Sequence, residues 1–258
     1  MSAPLIEFQN VTVHQGCRVA LEDLTLAIGL GEHVAILGPN GSGKSTLIKT
    51  ITRELYPQAP RSVVRILGAS TWDIFELRPL LGIVTQELVE ACREGGTARE
   101  VVLSGFFSSY RLWPWDEATP AMERKAMELL EFLGLIHLAD RPMREMSSGE
   151  VRRVVLARTL VHDPKALLLD EPTNSLDFRA FSELRDTLRR LTREGIGLLL
   201  VTHHLPDIIP EIQRVVCLKG GRLFLDGPKE DVLRAGTLSE LFGVTVNLEE
   251  HGGSYTLR

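Results

Sequence analysis

Cysteine is scarce. Cys17, Cys92 and Cys217 are the only three in 258 residues, and they lie far apart with no C-x-x-C pair. That pattern argues against a disulfide framework or a cysteine zinc site and makes a reducing compartment the default. Long apolar runs are missing as well. The longest, such as residues 166–169 and 198–201, fall far short of the ~20 apolar residues that a membrane helix needs. No direct membrane span is expected, and any membrane part would sit on another chain. There is no excess of positive charge, since the formal net charge is −5. A nucleic-acid partner, which calls for a basic field, is therefore not expected. Residues 1–10 have no basic segment leading into an apolar run, so no secretory signal is read there. Neither an internal repeat nor a low-complexity tract is present.

What remains is an ordinary globular composition, 44% apolar and 24% charged, in a length that suits one substantial α/β domain. Residues 5–13 and 21–28 read as extended. The run HVAIL at residues 33–37 suits a buried parallel strand, and residues 63–67 and 81–85 look similar. From about residue 89 to 160 the pattern turns helical, with a helix over 123–133 stopped by Gly134. Buried-strand runs return at 166–170 and 197–202. Residues 215–219 and 222–226 flank Gly220-Gly221, a hairpin signal. The tail from residue 227 reads as a helix followed by a small β element.

Gly38-Pro39-Asn40-Gly41-Ser42-Gly43-Lys44-Ser45-Thr46 fits G-x-x-x-x-G-K-[ST]. Glycines let such a loop turn its backbone N–H groups inward onto phosphate oxygens. The following helix, expected over 45–53, adds its N-terminal dipole. Lys44 supplies a mobile charge for the β- and γ-phosphates, and the Ser45 hydroxyl can ligate Mg²⁺. A second apolar strand ends in Asp170-Glu171. Asp170 can hold the Mg²⁺ shell, while Glu171, one residue farther on, can polarise a water.

Met146-Ser147-Ser148-Gly149-Glu150 resembles the LSGGQ signature of ABC ATPases. Gln86 matches that family's Q-loop, Ser175-Leu176-Asp177 its D-loop, and His203 its switch histidine. The resemblance runs from about residue 6 to 227. It implies an α/β P-loop NTPase of ABC type with a mainly parallel core sheet, an antiparallel β subdomain and a helical subdomain. The expected organisation is a single ABC ATPase domain over 1–258, with a helical insert at about 89–160 and a C-terminal extension at about 227–258. The family resemblance further implies ATP and Mg²⁺ as ligands, and a head-to-tail dimer, either a homodimer or a pairing with another ABC ATPase. In such a dimer each nucleotide touches the P-loop of one chain and Ser147, Ser148, Gly149 and Asp177 of the other. Gln86 would touch Mg²⁺ or the attacking water, and His203 the γ-phosphate. Polytopic membrane permease chains are the implied partners, and the inner face of the cell membrane, on the cytoplasmic side, the implied location. The subtype most resembles iron-complex uptake and molybdenum-associated ATP-binding subunits.

Ser147-x-x-Glu150 is also a capping box by its own pattern, opening a helix expected over 151–161. Residues His203 and His204 adjoin, and strand alternation would turn one of them away from the phosphate, favouring His203. There are three departures from the family pattern. Ser148 stands where glycine is usual, and Glu150 stands where glutamine is usual. Gln15 occupies the position where an aromatic ring normally stacks on adenine, so that stacking would come from His14 or be absent. The aromatic cluster Phe106, Phe107, Tyr110, Trp113 and Trp115 falls where transporters of the family dock a membrane subunit; it could equally be a small core of the insert. A non-transport ABC switch or repair ATPase is the alternative function. A P-loop kinase is disfavoured by the signature, the D-loop and His203.

Overall fold

The computed structural model describes residues 4–257; residues 1–3 and 258, at the two ends of the expected domain range and including part of the segment read for a signal, lie outside them. In chain order the elements are β1 (Ile6–Gln15), β2 (Arg18–Ile28), β3 (His33–Leu37), α1 (Lys44–Ile51), β4 (Val63–Ile66), α2 (Ile74–Leu80), β5 (Leu81–Val84), α3 (Gln86–Arg93), α4 (Ala98–Ser104), α5 (Pro120–Phe132), α6 (Ser148–Thr159), β6 (Ala166–Asp170), α7 (Phe178–Arg193), β7 (Gly197–Thr202), β8 (Arg214–Lys219), β9 (Arg222–Pro228), α8 (Lys229–Val232), α9 (Ala235–Phe242), β10 (Leu248–His251) and β11 (Ser254–Leu257). They fall into two compact units, one from residues 4–74 and 197–257, the other from residues 75–196.

In the first unit β3 lies between β7 and β8, parallel to both, and β9 pairs antiparallel with β8. Val34 to Leu37 and all six residues of β7 are buried, as expected for strands covered on both faces. Beside this sheet segment is an antiparallel one, with β1 between β2 and β4. Along β1 buried and less buried residues alternate, the mark of a strand with one covered face. The sequence pattern suggested that residues 63–67 form a parallel strand. In fact β4 runs antiparallel to β1, with Ile6 opposite Ile66. The short run VVRIL carries no orientation signal, and its partner lies far away in sequence. The Gly220-Gly221 hairpin forms as expected, with both glycines at positive φ. In the tail, α8 and α9 precede the β10–β11 hairpin, and β11 packs against the turn 205–207.

In the second unit β5 and β6 are parallel neighbours, with Val84 opposite Leu169. The insert holds α3, α4, α5 and α6. α5 is capped by Thr119, whose side chain accepts from the Met122 N–H, and buries Ala126 and Leu130. It ends at Phe132, and Gly134 follows at φ 72°. Among the described residues no helix is long and apolar enough to cross a membrane.

Candidate functional site

The glycine-rich loop 38–46, the expected phosphate cradle, belongs to the first unit. Leu37 of β3 pairs with Thr202 of β7, so Gly38 and His203 leave neighbouring parallel strands at the same level, strands that run about 4.8 Å apart. The loop then turns through Gly41 at φ 76° and Gly43 at φ 106°. A Cβ on Gly38 would come within 2.4 Å of the Leu218 carbonyl oxygen and 2.5 Å of Ser42 Oγ, so no larger residue fits. The Gly221 N–H donates to Ser42 O at 3.0 Å, and the Glu22 N–H to Gly221 O at 2.8 Å, which ties the loop to β2. Lys44 is buried, and its Nζ donates to Gly38 O at 2.7 Å and Pro39 O at 3.1 Å. Ser45 is exposed at the start of α1, and Thr46 is buried. α1 ends at Ile51, two residues before the expected stop, because Arg53 turns left-handed at φ 63° while the Glu54 and Leu55 N–H groups close onto Lys49 O.

Two features fit this loop to a phosphate. No side chain caps α1 at Gly43, leaving its first N–H groups for an anion. Ser42 Oγ is buried within the loop with no hydrogen-bond partner, a condition that costs free energy unless an acceptor is supplied.

His203 follows β7 rather than extending it, so strand alternation does not separate it from His204. Contrary to the sequence expectation, the two rings lie together, centroids 3.8 Å apart and tilted by 41°. The turn is held by the Thr202 hydroxyl, which donates to buried Asp207 and accepts from the His204 N–H at 2.9 Å.

The other motifs gather in the second unit. Parallel β5 and β6 bring Gln86 and Glu171 just past the ends of adjacent strands. Thr85 caps α3 by accepting from the Leu88 N–H, which places Gln86 in its first turn. Glu171 follows Asp170 with φ 45°, a left-handed conformation that costs a non-glycine residue about 1–3 kcal/mol. Asp177 accepts from the Ala180 N–H at 2.8 Å and so caps α7. Nothing in the sequence marks Arg152, because a charged residue on a helix ordinarily faces water. It is only 5% exposed. Its Nη1 donates to Glu171 O at 3.1 Å and Pro172 O at 2.7 Å, and its Nη2 to Gln86 Oε1 and Asn174 O, each at 2.8 Å.

The signature opens α6. Ser147 is the N-cap and α6 starts at Ser148, three residues before the expected position. The capping box is complete: Ser147 Oγ accepts from the Glu150 N–H at 3.3 Å, and Glu150 Oε2 from the Ser147 N–H at 2.8 Å. Ser148 Oγ accepts from Arg93 at 3.1 Å. Gly149 has no room for a side chain, since a Cβ would meet Ala180 Cβ of α7 at 2.5 Å. Burial raises the Glu150 carboxyl, but the Ser147 N–H and hydroxyl, together with Arg141 and Arg153, bring it below its ordinary value. A lowered native pKa stabilises the fold above the unfolded value, and that support is lost as pH falls through the native one. Glu150→Ala should therefore lower the melting temperature by a few degrees at neutral pH, a loss of about 1 kcal/mol. The gap between variant and wild type should narrow in acid. Melting curves across pH check this, and a gap that widens in acid would contradict it.

At the expected adenine position Gln15 is exposed. His14 is turned to Gln58, whose Oε1 accepts from the His14 N–H at 2.8 Å and lies 3.3 Å from its Nδ1. In the insert the aromatic cluster is not a buried core. Trp113 and Trp115 stack with centroids 5.0 Å apart, Arg111 lies 3.5 Å over Trp113, and Trp115 is 71% exposed.

Ser45, Gln86 and Asp170 are oxygen donors of the kind Mg²⁺ takes alongside water and phosphate. The Gln86 carbonyl keeps a second lone pair beyond the one facing Arg152.

The ABC transporter family pattern matches residues 21–174. The chain is 31% identical to the ABC transporter ATP-binding protein YlmA of Bacillus subtilis, over 95% of this chain and 93% of that one. It is also 31% identical to the hemin import ATP-binding protein HmuV of Bradyrhizobium diazoefficiens, over 98% and 93%. Among solved structures it superposes on the ATP-binding cassette MJ0796, seen as a dimer in a post-hydrolysis state with ADP and Pi. That match has a TM-score of 0.71 and 28% identity, and covers 86% of this chain and 98% of that one. With the glycine-rich loop 38–46 in one unit and the Gln86, signature, Asp170-Glu171 and Asp177 motifs in the other, the chain belongs to the ABC transporter family, as an ATP-binding and ATP-hydrolysing subunit.

Proposed function

We propose that two copies of this chain, or one copy and a related ATPase, close on ATP and power uptake through membrane permease chains. In this reading residues 1–258 act as one ABC ATPase domain, stationed on the cytoplasmic face of the membrane. The observation that carries the nucleotide assignment is the loop 38–46, with its glycine turns, its buried unpartnered Ser42 hydroxyl and Lys44. Gly38, Pro39, Asn40, Gly41, Ser42, Gly43, Lys44, Ser45 and Thr46 bind the phosphates, and Lys44 moves from its own loop carbonyls to the β- and γ-oxygens. Ser45, Asp170 and Gln86 are assigned to Mg²⁺, which when bound neutralises phosphate charge. Glu171 takes the proton of the attacking water, and His203 holds the γ-phosphate. Ser147, Ser148, Gly149 and Asp177 face the nucleotide of the other copy.

The dimer reading is supported by Phe178, which is 87% exposed directly beside Asp177 at the start of α7. A second copy would cover that ring. Exposed Trp115, stacked on half-buried Trp113 beside Arg111 and exposed Tyr110, offers an aromatic surface to a permease helix. Uptake of an iron complex is supported by the hemin import relative.

Glu171→Gln should be monomeric without nucleotide and shift to a dimer with Mg-ATP in light scattering. An unchanged mass would count against the two-copy site.

A further inference from the structure

Arg152 is a buried cation to which neither nucleotide binding nor proton transfer assigns a task. Its two terminal nitrogens carry four N–H bonds, and four acceptors lie in reach: Glu171 O, Pro172 O, Asn174 O and Gln86 Oε1. Three of these belong to the turn that holds Glu171 left-handed. The fourth is the side chain of Gln86, whose amide nitrogen donates to Glu90 Oε1 at 2.8 Å. The planar guanidinium can serve these divergent acceptors at once; an ammonium, with three donors on one atom, cannot.

We infer that Arg152 is a positioning residue that makes the aim of the Glu171 carboxylate depend on the place of Gln86. The turn 171–174 sets the direction of Glu171 through its backbone, and Arg152 fixes three carbonyls of that turn. When Gln86 leaves, a buried charge loses one of the acceptors it holds. Leaving a buried charged group short of a hydrogen bond is costly, so the guanidinium and the turn it holds must readjust. Gln86 thereby reports on the turn that carries the base, through a residue of α6, the helix opened by the signature. The inference rests on the reading of Glu171 as the base.

The test uses the full chain with Arg152→Lys, Arg152→Gln, Gln86→Ala and the corresponding doubles, measuring melting, ATP affinity and turnover. Both Arg152 variants should lose about 100-fold in kcat, the scale of a misplaced catalytic group, with ATP affinity within about twofold of wild type. The further effect of Gln86→Ala should shrink in either Arg152 background, because the two share one network. Wild-type kcat in a folded Arg152 variant, or fully additive effects, would overturn the inference. Should neither Arg152 variant fold, Gln86→Leu decides, since it leaves the guanidinium in place. Hydrogen exchange at the Asn174 amide, which is bonded to Glu171 O at 3.2 Å, should then quicken; unchanged exchange would overturn the coupling. Glu171→Gln in the same assay separates the two ideas. Retained turnover there would remove Glu171 as the base, while the exchange result would still judge the coupling.

Discussion

Glu171→Gln should slow hydrolysis at least about 100-fold and leave ATP bound, the loss expected when a general base is removed. The amide keeps the size of the carboxylate and can still face the Asn174 side chain, which donates to Glu171 Oε2 in the native turn. The backbone is pinned independently, by Arg152 and the Asn174 N–H on Glu171 O. Geometry should therefore survive while proton acceptance does not. Nucleotide recovered from the variant after incubation with Mg-ATP should be ATP, and from wild type ADP. ADP from both would remove Glu171 from the chemistry.

Lys44→Ala should fail at the earlier step. The Lys44 ammonium is held over the cradle by two loop carbonyls and provides a mobile charge beside its glycine turns. Charge-assisted hydrogen bonds to phosphate contribute about 1.5–3 kcal/mol each. Losing contacts of that size to the β- and γ-oxygens predicts a drop in ATP affinity of about 100-fold. Equilibrium binding of a fluorescent ATP analogue checks this. Affinity close to wild type would show that the backbone N–H groups alone carry the phosphates.

The conformation of the loop 38–46 was legible in the sequence because its geometry is local: Gly41 and Gly43 supply its positive φ. The capping box Ser147–Glu150 and the Gly220-Gly221 hairpin were legible for the same reason. The buried strands β3, β6 and β7 announced themselves as apolar runs. The orientation of β4 did not, because it is decided by pairing with β1. The placement of His203 beside His204 escaped the strand argument because the chain leaves β7 at Thr202. Arg152 was hidden for a physical reason too. Nothing nearby in sequence tells a helix arginine that meets solvent from one that meets backbone carbonyls, and its four acceptors come from segments on either side of α6. Glu150 departs from the family's usual glutamine, and its carboxylate is turned back onto the N–H of Ser147, as the capping box requires.

The proposed role of Glu171 as the base is tested most directly by phosphate release from Mg-ATP, measured at saturating nucleotide for wild type and Glu171→Gln side by side. Steady release by wild type, with the variant at least about 100-fold slower at undiminished ATP affinity, is the expected result. Equal rates in the two proteins, or no release by wild type at any concentration of chain, would contradict it.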